Sequence, residues 1–444
     1  MTAGRILQLA WPIVLANSAV PLLGLVDTAV IGNTGRVEDL GGISLGALVF
    51  NFVFWGFGFL RMGTTGFTAQ AAGRDDSAEV RAVFARALLM AGGLGVLLLI
   101  VQVPLARGAL ALLGASSEVE ALTRDYFDIR IWAAPASLGL FSVMGSLVGL
   151  GRTRQVLLLQ FLLNGLNAGL DVLLAGVLDL GVQGIALGTA VAEWITFLAA
   201  LAVLARVFRR ERTDREPWWP LERIRDRARG RAMLVANGDI LVRTLFLLLG
   251  FAWFTNQGAL FGDDILAANH VLLQLVSLSA YLLDGYAHAT EILVGRAVGS
   301  GASEAFDRAV RLSTGLSAAS AVVLAILVLL GGPTLIRILT DLAPVRAIAT
   351  DYLPWTATYI LVSFAAFQLD GIFIGATGTP EMRNASIVSF FGFLILSLAL
   401  VPVAGNTGLW IAFVLFVLLR AVALGVRLPS VRRARFTGGS VGGA

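Results

Sequence analysis

Asp27 is a carboxylate inside an apolar stretch long enough to cross a bilayer, in the run Leu25-Val26-Asp27-Thr28-Ala29-Val30. An ionisable side chain at that depth has lost most of its water, and such groups as a rule face a cavity or a partner. It can bind a cation, carry a proton or lock two helices together. Pro21 lies upstream on the same stretch, where it removes a helical hydrogen bond and crowds the carbonyl of Asn17. The helix can therefore bend just before its carboxylate.

A second group lies in Asn164-Gly165-Leu166-Asn167-Ala168-Gly169-Leu170-Asp171. Spacings of three and four residues put Asn164, Asn167 and Asp171 on one helix face. Thr189 lies in the next apolar block. Two carboxylates, two amides and a hydroxyl form an oxygen-rich set that suits a proton or a hard monovalent cation. The same set also serves as a hydrogen-bonded network between helices, each contact contributing on the order of 1 kcal/mol. A third group is in the C-terminal half. Asp239 and Arg243 are one helical turn apart and can pair along it. Asp284, His288 and Glu291 share a face, and Asp370 sits in Gln368-Leu369-Asp370-Gly371-Ile372. This is either a substrate or ion network or a charge-neutralised structural one. Arg61 and Arg130 face an anionic substrate or reach to a membrane interface.

Apolar blocks must position these residues. Of 444 residues, 57% are hydrophobic and 14% charged, against roughly a quarter charged in soluble domains. The blocks run about 20 residues or more without period-two alternation, which selects spanning helices over a barrel. Twelve spans are expected near 5–31, 41–68, 82–104, 125–149, 156–178, 182–205, 231–256, 265–295, 309–331, 350–374, 384–403 and 407–427. Arginine supplies all the basic charge, and it concentrates in alternate loops, most densely in 206–230. The positive-inside rule then places both termini and that loop in the cytoplasm, in an inner membrane.

The loop, with Pro217-Trp218-Trp219-Pro220, divides the chain into an N-lobe (1–205), a cytoplasmic linker (206–230) and a C-lobe with a basic tail (231–444). A shift of about 226 residues brings Leu40 onto Leu266, Gly73 onto Gly299, Ser77 onto Ser303, Asp125-Tyr126 onto Asp351-Tyr352 and Gly149 onto Gly375. Parallel repeats of this kind are a transporter architecture, with the site in the cleft between or within the halves. The expected fold is an all-α polytopic membrane protein, with two six-helix lobes around a central cleft. It is expected as a monomer.

Other classes find no support. No cysteine is present and the histidines are only His270 and His288, so no thiolate or histidine-rich metal site is expected. There is no phosphate-binding loop, nucleophile–histidine pair or metalloprotease helix, so neither an enzyme nor a resident cofactor is expected. The net charge of +4 follows membrane topology and does not point to nucleic acid.

Val26-Asp27-Thr28-Ala29-Val30-Ile31-Gly32 resembles the first-helix motif of multidrug and toxic compound extrusion (MATE) transporters. Asn164, Asn167 and Asp171 fit that family's fifth-helix motif, and Thr189 its sixth. Residues 281–291 and 369–384 resemble the DNA-damage-inducible F (DinF-like) branch. The resemblance implies export of organic compounds, often cationic and amphipathic, in exchange for H+ or Na+ by alternating access. It further implies that Asp27 takes the proton, that the first helix bends at Pro21, and that Asp171, Asn167 and Thr189 are its polar neighbours. Asp370 is similar to the tenth-helix acid of branches with a C-lobe cation site. Asp239 and Arg243 do not match that site's seventh-helix partner. A lipid or lipid-linked oligosaccharide flippase of the same superfamily is the alternative, and a non-transporting scaffold a third.

Overall fold

The computed structural model describes residues 2–19, 37–113 and 116–436. Among them every regular element is a helix. Lipid offers no partner for backbone N–H and C=O groups, so each span must satisfy its own.

The second span is Val37–Gly56 continued by Phe59–Gly73, and the third is Ser77–Ile100. The fourth is Ser117–Arg130 continued through a 3-10 turn into Ala134–Gly149. The fifth is Thr153–Asp171, ending in a π turn over Val172–Val177, and the sixth is Gly181–Glu211. The seventh to tenth are Arg227–Ala259, Asp263–Gly299, Ser303–Leu339 and Ala343–Gly375. Thr379–Phe436 is a single helix by hydrogen bonding, but its 58 residues contain non-helical Gly405 (φ 56°, ψ −136°). At 1.5 Å per residue it would be about 90 Å long if straight, against a hydrocarbon core of about 30 Å, so it is two spans broken at Gly405. The first span begins as Ala3–Ser18; the rest of it, with Pro21 and Asp27, lies outside the described residues. A short helix, Gln102–Leu113, follows the third span and was not anticipated. Apolar side chains such as Ile100, Leu330 and Val403 stand exposed, as a lipid-facing surface requires.

The chain forms two compact units, Leu15–Met233 (the N unit) and Leu234–Ala444 with Met1–Val14 (the C unit). The start of the first helix thus packs with the C-terminal half. Gly285 on the eighth span shows how closely: a Cβ there would stand 2.4 Å from Val14 Cγ2.

The repeat is visible in the backbone of each unit. Left-handed residues stand at three matched turns of the two units: Asp75 (φ 56°), Gly151 (70°) and Asp179 (55°) in one, Gly301 (68°), Thr377 (53°) and Gly405 (56°) in the other. Each pair is separated by 226 positions. The capping bonds of the first two also match: Asp76 N to Ala71 O (3.1 Å) and Ala302 N to Ala297 O (2.9 Å), then Arg152 N to Leu147 O and Gly378 N to Phe373 O (both 2.8 Å). These are left-handed C-caps that satisfy carbonyls at helix ends. Close helix contacts repeat too. A Cβ on Gly145 would meet Arg61 O at 2.6 Å and one on Gly149 would meet Thr65 O at 2.8 Å. Gly371 and Gly375 stand in the same relation to Ala287 O (2.4 Å) and Glu291 O (2.6 Å).

The segment 212–226 is docked on the N unit. Arg81, buried at the start of the third span, donates to both carboxylate oxygens of Asp214 (2.8 and 2.9 Å) and to the carbonyls of Trp218 and Ser77. Arg223 bridges Asp76 and Glu216, while Glu79 holds Arg86 and Arg229. The sixth span continues to Glu211 and the seventh starts at Arg227, so the connection is shorter than 206–230.

Candidate functional site

The fifth and sixth spans build the polar cluster of the N unit. Asn164 is half-buried, while Asn167 and Asp171 are fully buried, in keeping with one shared face. Asn167 Nδ2 donates to Thr189 Oγ1 (2.9 Å), and Thr189 donates to Ile185 O (3.0 Å). The Asp171 carboxylate lies against the sixth span where Gly188 leaves room: a Cβ there would come within 2.5 Å of Asp171 Oδ1. Immediately after Asp171 the helix widens into the π turn, with Leu178 N bonded to Leu173 O (2.9 Å). Such turns are frequent at functional sites. Asn164 Nδ2 donates to Ala19 O (3.0 Å), which ties this face to the end of the described first helix. Buried Asn167 Oδ1 keeps an acceptor with no hydrogen-bond partner among the described residues.

The structure therefore brings together Asn164, Asn167, Asp171 and Thr189. Asp27 and Pro21, expected beside them, lie outside the described residues.

In the C unit the expected Asp239–Arg243 pair does not form. Asp239 accepts from Arg383 Nη1 (2.6 Å) and Thr379 Oγ1 (3.0 Å), at the start of the eleventh span. Arg243 turns to Asp370 on the tenth, and Arg420 Nη2 on the twelfth stands 3.5 Å from the same carboxylate oxygen. The reason is energetic: a pair along one helix contributes only about 0.2–0.5 kcal/mol, and each charge has a partner on a neighbouring helix. His288 sits between Asp284 and Glu291 as its spacing predicts, with Nε2 3.2 Å from Asp284 Oδ2 and Nδ1 2.9 Å from Glu291 Oε1. Gln368 Nε2 on the tenth span donates to Thr290 on the eighth and Ser313 on the ninth.

Several partners escaped the sequence reading. Arg130 is one whose partners lie on neighbouring helices as well as its own. It bonds Tyr126 Oη (2.8 Å) and Glu193 (3.1 Å) and lies over the Phe50 ring at 5.1 Å, while Ser137 donates to Glu193. Arg420 was missed although it interrupts the apolar run Leu418-Leu419-Arg420-Ala421-Val422, the same signal that marks Asp27.

Comparison with known proteins places this geometry. Residues 12–173 and 240–403 each match the MatE family, one match per half of the chain. DNA damage-inducible protein F of Escherichia coli (strain K12) is 38% identical over 417 residues, covering 94% of this chain and 90% of that protein. A probable multidrug resistance protein NorM of Synechococcus sp. is 27% identical, covering 92% and 89%. The solved bent form of the Vibrio cholerae MATE transporter VcmN superimposes with a TM-score of 0.85 at 18% identity, covering 98% of this chain and 97% of that one.

Proposed function

The chain belongs to the MatE family of multidrug efflux transporters, and from that premise we propose that it exports organic compounds in exchange for protons by alternating access. Asp27 is the coupling carboxylate in this reading, and Asp171, Asn167, Asn164 and Thr189 are its polar surroundings. The observation that carries it is the buried amide–hydroxyl–carboxylate cluster between the fifth and sixth spans, bonded to the first helix through Asn164 and Ala19 O. Protonation of a carboxylate there changes the charge beside a helix that Pro21 weakens, and bending at Pro21 opens or closes the cavity. The alternation requires two states of different affinity for the proton. In this reading the chain lies in the inner membrane as a monomer, and its arginine distribution supports cytoplasmic termini.

Sodium-coupled export through Asp370 is disfavoured, because two buried guanidinium groups already face that carboxylate. The flippase alternative draws support from the same arginines. The test is transport by purified protein in proteoliposomes under separate pH and sodium gradients. A pH gradient alone should drive export of a fluorescent cationic amphiphile such as ethidium. Asp27→Asn and Asp171→Asn should each abolish that coupling while leaving the protein folded. Coupled transport that survives in Asp27→Asn removes Asp27 from the mechanism. Scrambling of fluorescent anionic lipid without drug export would favour the flippase.

A further inference from the structure

Two guanidinium groups and one carboxylate meet inside the C unit. Arg243 comes from the seventh span, Asp370 from the tenth and Arg420 from the twelfth, and all three are buried. Arg243 and Arg420 both address Asp370 Oδ2. Asp370 attracts Arg420, but Arg243 repels it. The cluster therefore holds one positive charge in excess.

The three other acids singled out in this unit are engaged elsewhere. Asp239 holds Arg383, and Asp284 and Glu291 flank His288. Among the described residues, Nε of Arg243, Nε of Arg420 and Oδ1 of Asp370 find no hydrogen-bond partner. Without Arg420 the Arg243–Asp370 pair would be electrically neutral. A second guanidinium, poorly compensated and out of water, raises the energy of the empty site. Its presence is explained by something negative that binds beside it.

The geometry points to an anion-recognition site: the triad Arg243–Asp370–Arg420 takes the carboxylate, sulfonate or phosphate of an amphipathic ligand. Asp370 holds the two guanidinium groups together through one shared oxygen, and their remaining N–H groups meet the anion, for which the planar fork of arginine is suited. The inference rests on the transport reading only in taking the ligand to be cargo. A soluble organic anion and an anionic lipid headgroup share this chemistry.

The test uses the full chain in phosphatidylcholine nanodiscs and two probes with one ring and opposite charge, naphthalene-2-sulfonate and trimethyl(2-naphthyl)ammonium. Calorimetry should show the sulfonate binding at least about tenfold tighter. Arg420→Gln should erase that preference, leave the ammonium affinity as in the parent, and melt no lower than the parent, because it removes a poorly compensated buried charge. Arg420→Lys should keep part of the preference. The sulfonate should raise the melting temperature of the parent and not of Arg420→Gln. Equal affinity for both probes in the parent, or unchanged sulfonate binding by folded Arg420→Gln, overturns the inference. So does an Arg420→Gln protein that melts well below the parent, which would make Arg420 structural. Repeating the titration in phosphatidylglycerol discs identifies the source: competition means a lipid anion, and no competition a soluble one. If pH gradients drive no export but the sulfonate preference stands, the export reading fails and this one survives. Export of both charges without preference gives the reverse.

Discussion

Thr377 holds a left-handed backbone (φ 53°) at the position where the other half of the chain has Gly151 (φ 70°). A β-branched residue is disfavoured there by contact between Cβ and the following carbonyl, while glycine is not. Thr377→Gly should therefore stabilise the protein by up to about 1 kcal/mol, read as a higher melting temperature in detergent. A lower one would mean that the Thr377 hydroxyl, which bonds Ala376 O, outweighs the backbone strain. Residue by residue, the sequence was informative about which side chains lie at membrane depth and on which helix face. Asn164, Asn167 and Asp171 follow from periodicity alone. It was poor at partners, because periodicity says nothing of the neighbouring helix. Asp239 and Arg243 looked complementary, yet each bonds across to another span.

At the scale of elements, the span limits were legible within several residues, since lipid demands long apolar blocks and arginine clusters at alternate ends of them. The docked segment between the halves was not, because its order comes from specific ion pairs and not from composition. The Arg81 guanidinium, followed by the Ser77 hydroxyl, holds the Asp214 carboxyl well below its ordinary value of 3.8 against the upward push of burial. Arg223 is pushed above its ordinary value, chiefly by Glu216 and then by Asp76. A depressed carboxyl stabilises the folded arrangement at pH values above 3.8, and that stabilisation fades as pH falls from there through the lower folded value. Hydrogen exchange of residues 212–226, corrected for the intrinsic rate, should show protection at pH 6 that is lost in strong acid. Asp214→Asn should lose it already at pH 6. Protection that ignores both changes would mean that packing of Trp218 against Phe208, and not charge, docks the segment.

At the scale of the molecule, duplication is recorded more faithfully in backbone geometry than in residue identity. Gly145 and Gly371 admit a neighbouring helix backbone at equivalent places in separate units. An added methyl forces backbone to move, at a cost of about 1–3 kcal/mol. Gly145→Ala and Gly371→Ala should each lower the melting temperature, and the double variant should lower it by the sum of the two, since sites with no shared partner add. Marked non-additivity would reveal coupling between the units. The shift that relates the halves could be read from the sequence. That Met1–Val14 packs with the C-terminal half could not, because it depends on contacts such as Gly285 with Val14.

Gly405 also bears on how the protein is made. The eleventh and twelfth spans are joined by this one non-helical residue, with no charged loop between them. As the chain leaves the ribosome, the eleventh span cannot finish crossing and wait with a soluble tether on the far side. The two spans enter the bilayer together as a hairpin, whose turn is set by a single glycine.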